Sequence, residues 1–459
     1  MSRTNPDDTI AAVATPPGEG GIGIVRLSGD RAISIVHSLF ESSRGRDIRS
    51  DRRQIFHGEI RDEGLTVDEV LVHVMRAPHT YTREDVVEIN CHGGSGPINA
   101  VLALTLGAGA RLAGPGEFTQ RAFLNGRIDL VQAEAVIDRI RAQTKAGMQA
   151  ASAASRGELS EAIVNIRDEL LLAKCHIEAA IDFPDQDLPE LITPELRNSL
   201  VSARGRMETL LATADAGRLL REGASVAIAG RPNVGKSSLF NAMLRESRAI
   251  VTAQPGTTRD LLQEMIALEG IPVRLTDMAG LRDSDDEVER IGVDVARKAI
   301  SEAALILFMV DASEPAVPED QSLLENLPAL DVPVILVQNK IDLGDGLDPG
   351  VFDREFTDTA KISALTGQGL AELEATLAET LRGGVQIAPD QALVTRLHQK
   401  DSLRRALEAI ARVEADFGKS PEFMAIEMDE ALNALGEITG ETTPDEVLDH
   451  IFSSFCIGK

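Results

Sequence analysis

ASVAIAGRPNVGKSS, residues 224–238, contains the pattern G-x-x-x-x-G-K-[ST] at residues 230–237. The apolar run before the pattern predicts a buried strand and SSLFNAML after it predicts a helix, the context that a phosphate-binding loop requires. In such a loop, backbone N–H groups turn toward phosphate oxygens and the helix directs its positive N-terminus at them. Lys236 is then expected to reach the β- and γ-phosphates and Ser237 to bind Mg²⁺.

Three further motifs follow in an order typical of guanine-nucleotide sites. A D-x-x-G pattern at 277–280 ends one predicted strand, and Asn-Lys-Ile-Asp at 339–342 ends another. The Asp342 carboxylate can accept two N–H bonds from guanine, which adenine cannot supply in that arrangement. Backbone N–H groups at 363–365 are expected near the guanine carbonyl. The residues of these motifs are Asp277, Met278, Ala279, Gly280, Asn339, Lys340, Ile341, Asp342, Ser363, Ala364 and Leu365. Together with the phosphate loop, they predict a GTP-binding domain.

Two segments between these motifs bear on hydrolysis. Residues 252–260, TAQPGTTRD, suit a switch segment in which Thr258 binds Mg²⁺ only when GTP is present, although an ordinary surface turn is the alternative. Ras-type enzymes place a water-orienting Gln after D-x-x-G. Leu281 stands at that position here and cannot orient water. The acidic residues 285–289 supply candidate carboxylates, or are a solvated acidic loop.

The 459 residues are too many for one hydrophobic core and predict about three domains. Up to about residue 125, short β-like runs alternate with Gly/Pro turns, which is typical of a compact α/β unit. Residues 132–181 and 194–221 are predicted to form long helices, and helical texture returns after 384. Buried strands of a parallel sheet are predicted at 225–230, 272–277, 304–311 and 333–338. We therefore expect an α/β domain inserted into a helical domain.

The chain is strongly acidic, with 46 Lys and Arg against 73 Asp and Glu and a formal net charge of −27. Such a surface repels polyanions, so we do not expect broad nonspecific nucleic-acid binding, and any RNA would have to be held by a local patch or a partner. No run approaches a membrane span, and the N-terminus has no apolar core for export. The widely spaced Cys91, Cys175 and Cys456 favour neither a zinc site nor disulfides, which fits a reducing cytoplasm.

Two motif-like segments in the first part of the chain are rejected. Residues 18–23 satisfy G-x-G-x-x-G, but they precede a predicted strand, and a dinucleotide-binding loop follows one. Residues 92–95 are similar to an oxyanion-hole loop, yet the chain has no G-x-S-x-G segment. Cys91 and His92 cannot act as nucleophile and base, because neighbours in a strand point to opposite faces.

The motifs converge on one family. The chain resembles the MnmE (TrmE) family of bacterial tRNA-modification GTPases over essentially its full length. Beyond the GTPase motifs, the match is carried by ATPPGEGGIGIVRLSG (14–29), PGEFTQRAFLNGRIDLVQAEAV (115–136), AAIDFPD (179–185) and FCIGK (455–459).

The resemblance implies a fold of class α/β plus α. It comprises an N-terminal folate-binding and dimerisation domain (1–125), a helical domain in two parts (126–222 and 384–459) and an inserted Ras-like P-loop GTPase domain (223–383). It also implies a cytoplasmic homodimer, remote from membranes, that pairs with the flavoprotein MnmG, two copies of each. GTP hydrolysis would be activated by potassium and by pairing of GTPase domains. The complex would add a carboxymethylaminomethyl group to C5 of the wobble uridine of certain tRNAs, from 5-formyl- or methylene-tetrahydrofolate.

Site residues follow from the same resemblance. Lys236 and Glu289 would serve GTP hydrolysis, Glu289 by holding the attacking water through a second water. Mg²⁺ would be bound by Ser237 and Thr258. Potassium would be bound by Asn233, Thr252, Gln254 and Thr257. The nucleotide-binding segments would be Asn233, Val234, Gly235, Lys236, Ser237 and Ser238, and Thr252, Ala253, Gln254, Pro255, Gly256, Thr257 and Thr258.

In the folate site the resemblance implies Arg26, Glu88, Arg127 and Lys459; without it, Arg26 and Glu88 are expected to be an ordinary ion pair. Two positions depart from the family pattern: Met278 stands where Thr is commoner, and Arg127 where Lys is. Arg127 would present a fork in place of a point charge.

Cys456 is expected either to be a small buried hydrophobe near a frayed terminus or, by the resemblance, to lie close to the modification chemistry. The alternative function for the whole chain is a GTP-switched scaffold, such as a ribosome-assembly factor. Such a scaffold needs neither the N-terminal domain nor the FCIGK terminus. Copurification with a flavoprotein and tRNA, or with ribosomal subunits, distinguishes the two.

Overall fold

The structure is a computed structural model of the chain and divides into two compact units. One unit comprises Met1–Ile137 and Asn433–Lys459, and the other comprises Asp138–Leu432. The two ends of the sequence therefore share a unit. The residues that the structure describes are 8–50, 54–183, 192–246, 263–277, 302–325, 327, 332–344, 346–384 and 391–459.

The first unit is built on a mixed seven-stranded sheet with strand order β3-β4-β5-β6-β2-β1-β7. Helices α1 (Ala32–Leu39) and α2 (Ser95–Gly107) cover one face of this sheet and enclose a core of aliphatic side chains. Along β4, buried residues alternate with more exposed ones, so only one face of that strand packs against the core. The strands are β1 Ile10–Val13, β2 Gly20–Ser28, β3 Phe40–Ser42, β4 Ile55–Asp62, β5 Leu65–Met75, β6 Val86–Gly93 and β7 Arg111–Leu112.

The second unit contains a six-stranded sheet with strand order β13-β12-β11-β8-β10-β9. All its neighbours pair in parallel except β9, which pairs antiparallel with β10. Along β8, Val226 and Ile228 enter one core while Ala227 and Ala229 enter the other, so both faces are buried, as in doubly wound folds. The strands are β8 Ala224–Ala229, β9 Gln263–Leu268, β10 Ile271–Asp277, β11 Leu305–Asp311, β12 Val334–Asn339 and β13 Asp358–Lys361.

Long helices precede and follow this sheet in the sequence. Thr144 and Thr193 cap two of them with side-chain oxygens, and Pro194 occupies the first turn of the second, so local chemistry defines where they begin. The remaining described helices are α3 Glu117–Leu124, α4 Leu130–Arg141, α5 Lys145–Arg156, α6 Glu158–Asp182, α7 Pro194–Ala212, α8 Ala214–Glu222, α9 Lys236–Glu246, α10 Pro318–Glu325, α11 Leu370–Arg382, α12 Leu397–Ala415, α13 Pro421–Thr439 and α14 Asp445–Ser453.

The predicted fold class is confirmed, and the predicted strands of the inserted sheet lie within a residue or two of β8, β10, β11 and β12. Sequence periodicity missed the edge strands β9 and β13, because an edge strand carries a weaker apolar signal. In the first unit it also missed β4 and the short strands β1, β3 and β7. Among the described residues, no helix combines the length and apolar character needed to cross a membrane.

Candidate functional site: a phosphate loop and a sealed chain terminus

The phosphate loop connects β8 to α9 at the carboxyl edge of the parallel sheet, where α/β folds bind ligands. Gly230 and Gly235 have φ of +145° and +102°, and a side chain at Gly235 would collide with the amide of Asn339. Asn233 adopts φ of +67°, which Asn tolerates better than most residues. These three positions bend the loop so that it precedes the N-terminus of α9 as the motif predicts.

Lys236 is almost fully buried beneath the loop. Its Nζ donates hydrogen bonds to the carbonyl oxygens of Gly230 at 2.7 Å and Arg231 at 2.8 Å. Burial lowers the pKa of Lys236, although Asp277 acts in the opposite direction. The Lys236 ammonium therefore links the end of the loop to its beginning. Phosphate oxygens could replace the two carbonyls as its hydrogen-bond acceptors.

Ser237 and Asp277 come together across the sheet. The Ser237 hydroxyl donates a hydrogen bond to Oδ2 of Asp277 at 2.8 Å, and Asp277 is buried at the end of β10. A hydroxyl and a carboxylate are hard oxygen groups of the kind that Mg²⁺ binds. These two groups, which the structure describes, therefore have the chemistry expected of a Mg²⁺ site.

An anchor that the sequence motifs did not indicate holds the start of the loop. The Arg231 guanidinium forms ion pairs with Glu314 and with Asp320, at 3.2 Å for Asp320. Asp320 is buried, and desolvation raises its pKa despite the neighbouring Arg231. Because the Arg231 carbonyl also accepts a hydrogen bond from Lys236, these ion pairs fix the position of Lys236 indirectly. Acidic residues after a strand are too common in sequences for Glu314 and Asp320 to have indicated these ion pairs.

The guanine motifs lie beside the phosphate loop. Asn339 donates from Nδ2 to the carbonyl of Val234 at 2.7 Å and accepts at Oδ1 from the Ala364 N–H at 2.9 Å. Lys340 pairs with Asp311 at 2.6 Å, and Ser363 is fully buried. Asp342 and Leu365 are exposed, as expected for groups that face a base. The structure therefore joins the three predicted segments that it describes.

Arg26 and Glu88 form a partly buried ion pair between β2 and β6. Arg26 Nε donates to Glu88 Oε1 at 2.8 Å, and its Nη1 donates to the carbonyl of Gly458 at 3.2 Å. The guanidinium carbon also lies 5.7 Å from the ring centre of Phe118. The expectation of an ion pair is confirmed, and the pair additionally holds the C-terminal segment.

The C-terminal segment is fixed along its length. Phe455 is buried, Ile457 bridges Pro115, and the Gly116 N–H donates to the Cys456 carbonyl at 3.3 Å. Gly458 has φ of +91° and lies so close to the carbonyl of Val13 that a side chain there would collide with it. The expectation of a frayed terminus is wrong, because backbone pairing and the Phe455 side chain anchor it.

Cys456 itself has an exposed side chain, so it is not a small buried hydrophobe. Lys459 is partly exposed beside it. Cys91 behaves in the opposite way: it is buried, and desolvation raises the pKa of its thiol to about 11. His92, on the other face of the strand, donates from Nδ1 to the Asp68 carboxylate at 2.7 Å. The exclusion of a Cys91–His92 pair is therefore confirmed.

Arg127 lies over the ring of Tyr81, 4.8 Å from its centre, and donates to the Tyr81 carbonyl at 3.1 Å. Both line a cavity of about 510 Å³ in the first unit. The other lining residues are Met75, Pro78, His79, Thr80 and Arg83. Cationic groups and an aromatic face at one cavity suit a flat ligand with carboxylates.

Several predicted site residues lie outside the described residues. They are Thr252, Ala253, Gln254, Pro255, Gly256, Thr257, Thr258, Met278, Ala279, Gly280, Leu281 and Glu289.

The fold and the loop geometry define a P-loop GTPase carried by a helical region. Residues 130–456 match the family model described as the MnmE helical domain, and residues 9–127 match the model described as the GTP-binding protein TrmE N-terminus. Both models agree with the family inferred from the motifs.

Curated relatives extend the match to the whole chain. The tRNA modification GTPase MnmE of Alkaliphilus oremlandii is 46% identical over 99% of this chain and 99% of its own. That of Chloroflexus aurantiacus is 48% identical over 99% of this chain and 100% of its own. The chain belongs to the MnmE family of tRNA modification GTPases.

A solved structure of a variant of Era from Aquifex aeolicus, bound to GDP and AlF4⁻, is 31% identical. It covers 40% of this chain and 66% of its own, with a TM-score of 0.29, which is too low to add to the family assignment.

Proposed function

We propose that this tRNA-modification GTPase is activated by potassium and acts with the flavoprotein MnmG on C5 of the wobble uridine of certain tRNAs. The added group is carboxymethylaminomethyl, and its one-carbon unit comes from 5-formyl- or methylene-tetrahydrofolate. The observation that carries the proposal is the bond from Arg26 to Gly458, which brings the FCIGK terminus onto the sheet that holds Glu88. A GTP-switched scaffold has no need of such a closed terminus.

At the nucleotide, Lys236 exchanges its carbonyl partners for the β- and γ-phosphates, and the loop N–H groups bind the phosphate oxygens. Ser237 and Thr258 would hold Mg²⁺, and Asn233, Thr252, Gln254 and Thr257 would hold K⁺. These cations supply positive charge against the charge that develops on the phosphates. Glu289 would position the attacking water, which compensates for Leu281 at the usual Gln position.

In the first unit, Arg26, Glu88, Arg127 and Lys459 are proposed to bind the folate. Arg26 and Arg127 each lie over an aromatic ring, so their guanidinium planes are positioned before any ligand arrives. Cys456 presents an exposed thiol beside Lys459, which supports a role close to the transferred one-carbon unit.

We further propose the domain limits 1–125, 126–222, 223–383 and 384–459. In this assignment, the first domain dimerises and the GTPase domains pair during hydrolysis. Two copies of the chain and two of MnmG form the working cytoplasmic complex, and the acidic surface leaves most tRNA contacts to that complex.

Folate binding tests the proposal directly. Arg26→Met should weaken 5-formyltetrahydrofolate binding by at least about tenfold, since truncating a buried charged hydrogen-bond partner costs about 2–5 kcal/mol. Equilibrium dialysis of the purified full chain measures this loss. Arg61→Met is the matched control, because Arg61 forms exposed ion pairs with Glu41 and Glu59 on the same sheet.

The two variants should hydrolyse GTP at the same rate. Unchanged folate affinity in Arg26→Met, or copurification of the wild-type chain with ribosomal subunits and without a flavoprotein, contradicts the proposal.

A further inference from the structure

Two hairpin turns of this chain have the same sequence and the same backbone but different surroundings. In the β4–β5 turn, Glu63 and Gly64 have φ of +45° and +87°. In the β9–β10 turn, Glu269 and Gly270 have φ of +45° and +89°. A Cβ at Gly64 would meet nothing within 4 Å, whereas a Cβ at Gly270 would lie 2.8 Å from the Cβ of Ala146. The second turn therefore packs against helix α5, and we call this contact between Gly270 and Ala146 the seat. The first turn has no such contact at Gly64.

The residues around the seat allow the turn to approach helix α5 closely. Ala146 lies in the first turn of α5, which the buried Thr144 caps through the Gly147 N–H at 3.1 Å. Gly147 in turn lets α5 approach the Leu220 carbonyl of α8, which a Cβ would meet at 3.0 Å. Small residues thus bring the start of α5 against both α8 and the turn.

The turn is also held from its own side. Arg382, the last residue of α11, donates to the Glu269 carbonyl at 3.2 Å and pairs with its carboxylate at 2.7 Å. Ala146 packs partly buried against the GTPase core. The turn and α5 consequently have little freedom to move apart without breaking defined contacts.

Strand β10 joins this seat to the nucleotide site. It begins directly after Gly270 and ends at Asp277, whose carboxylate accepts from Ser237. Its pairing with β8 runs from Val273 to Asp277, so the strand is tied to the segment that carries the phosphate loop. The seven residues of β10 thus connect Asp277 at one end of the strand to the Gly270 turn at the other.

We propose that the contact between Gly270 and Ala146 communicates the state of the nucleotide site to helix α5. Ser237 and Asp277 would hold Mg²⁺ and sense the γ-phosphate, and their hydrogen bond to each other would then be replaced. Strand β10 would shift with its turn, and the contact with Ala146 would change. Because the seat has no spare volume, a small shift alters the stability of the first turn of α5. This inference requires GTP binding only and does not rest on the proposed folate chemistry.

Hydrogen exchange of the full chain tests it. Amides of residues 144–156 should exchange at rates that differ by about fivefold between the complexes with Mg²⁺·GDP and with a non-hydrolysable Mg²⁺·GTP analogue, at the lower end of typical coupling between sites. Gly270→Ala should abolish this difference while analogue binding persists. An unchanged exchange rate in the wild-type chain, or a preserved difference in Gly270→Ala, overturns the proposal.

Two further variants separate contact from backbone strain. Gly64→Ala introduces the same residue at the same φ in the free turn and should keep the nucleotide-dependent difference. Gly270→Ala combined with Ala146→Gly removes the opposing methyl group and should restore the difference. Loss in Gly64→Ala, or no recovery in the double variant, assigns the effect to strain and overturns the proposal. Should Gly270→Ala fail to fold, Ala146→Leu adds bulk from the helix side and should abolish the difference in its place.

Discussion

Asn339 bridges the two loops of the nucleotide site: its Nδ2 donates to the Val234 carbonyl at 2.7 Å, and its Oδ1 accepts from the Ala364 N–H at 2.9 Å. Asn339 is buried; its bond to Val234 is buried with it, and its bond to Ala364 is partly buried. Asn339→Ala leaves a buried carbonyl and a part-buried N–H without this partner, at about 1–3 kcal/mol each. We expect GTP affinity to fall by about tenfold or more, measured by titration with a fluorescent GTP analogue. Asn198→Ala, on the exposed surface of α7, should leave it unchanged.

We expect base selectivity to depend on Asp342, whose side chain is exposed at the end of the predicted guanine motif. Asp342→Asn should weaken GTP binding by at least about tenfold, because it removes a charged hydrogen-bond acceptor worth about 2–5 kcal/mol. The same variant should gain affinity for xanthosine triphosphate. Competition binding with the two nucleotides measures both effects, and unchanged GTP affinity would count against the role of Asp342.

Potassium activation can be tested at Asn233, where φ is +67°. Asn233→Gly is the better substitution, since Gly accepts this backbone conformation and only the side-chain ligand is lost. Wild-type GTP hydrolysis should be about tenfold or more faster in potassium than in sodium, because one charge-stabilising group contributes about 10²–10³ in rate. Asn233→Gly should show no such preference. Equal wild-type rates in both salts would disprove potassium activation.

Cys456 offers a separation of functions. Its carbonyl holds the terminus through Gly116, while its thiol is exposed and takes no part in that bond. Cys456→Ser should therefore retain the anchored terminus and potassium-stimulated GTP hydrolysis but fail to support wobble-uridine modification. Nucleoside analysis of tRNA from a complemented deletion strain decides this. Normal levels of modified uridine would leave Cys456 with a structural role only.

Acid stability of the first unit should depend on Glu117, which is buried and receives bonds from Arg111 at 2.6 Å and 3.1 Å and from the Gly114 N–H at 2.8 Å. Burial alone would raise the pKa of Glu117, but these bonds outweigh it and hold the pKa below 4.5. The stabilisation is therefore complete above pH 4.5 and is lost as the pH falls through the lower pKa of the folded state.

Glu117→Gln should lower the free energy of unfolding at pH 7 by about 1–3 kcal/mol, since it weakens the charged hydrogen bonds that Arg111 donates to this buried side chain. It should also flatten the loss of stability below pH 4.5. The chain has no Trp and one Tyr, Tyr81, so fluorescence of Tyr81 reports on the first unit selectively. Glu59→Gln is the control, because Glu59 lies in an exposed ion pair with Arg61 and should change little.

The sequence by itself determined the local chemistry of the nucleotide site. In the phosphate loop, Lys236 and Ser237 follow glycines whose positive φ the loop requires, and this geometry needs only neighbours in the chain. The strand before Gly230 could be predicted because both of its faces are buried, which produces a nearly continuous apolar run. The strand that ends at Asp277 has a shorter apolar run, interrupted by the exposed Arg274. The family could likewise be recognised from the sequence, because each of its motifs is a contiguous stretch of residues. The family models and the curated relatives confirm it.

Tertiary structure decided which distant residues meet. Arg26 and Gly458 are 432 positions apart, and Arg231 and Glu314 are 83 apart, so no local pattern relates them. The two Glu-Gly turns make the point most directly: identical residues adopt one backbone conformation, yet only Gly270 touches another element. Local sequence fixes φ and ψ through steric clashes within a few residues. Contacts such as Gly270 with Ala146 depend on how whole helices and strands pack, which the sequence around either residue does not encode.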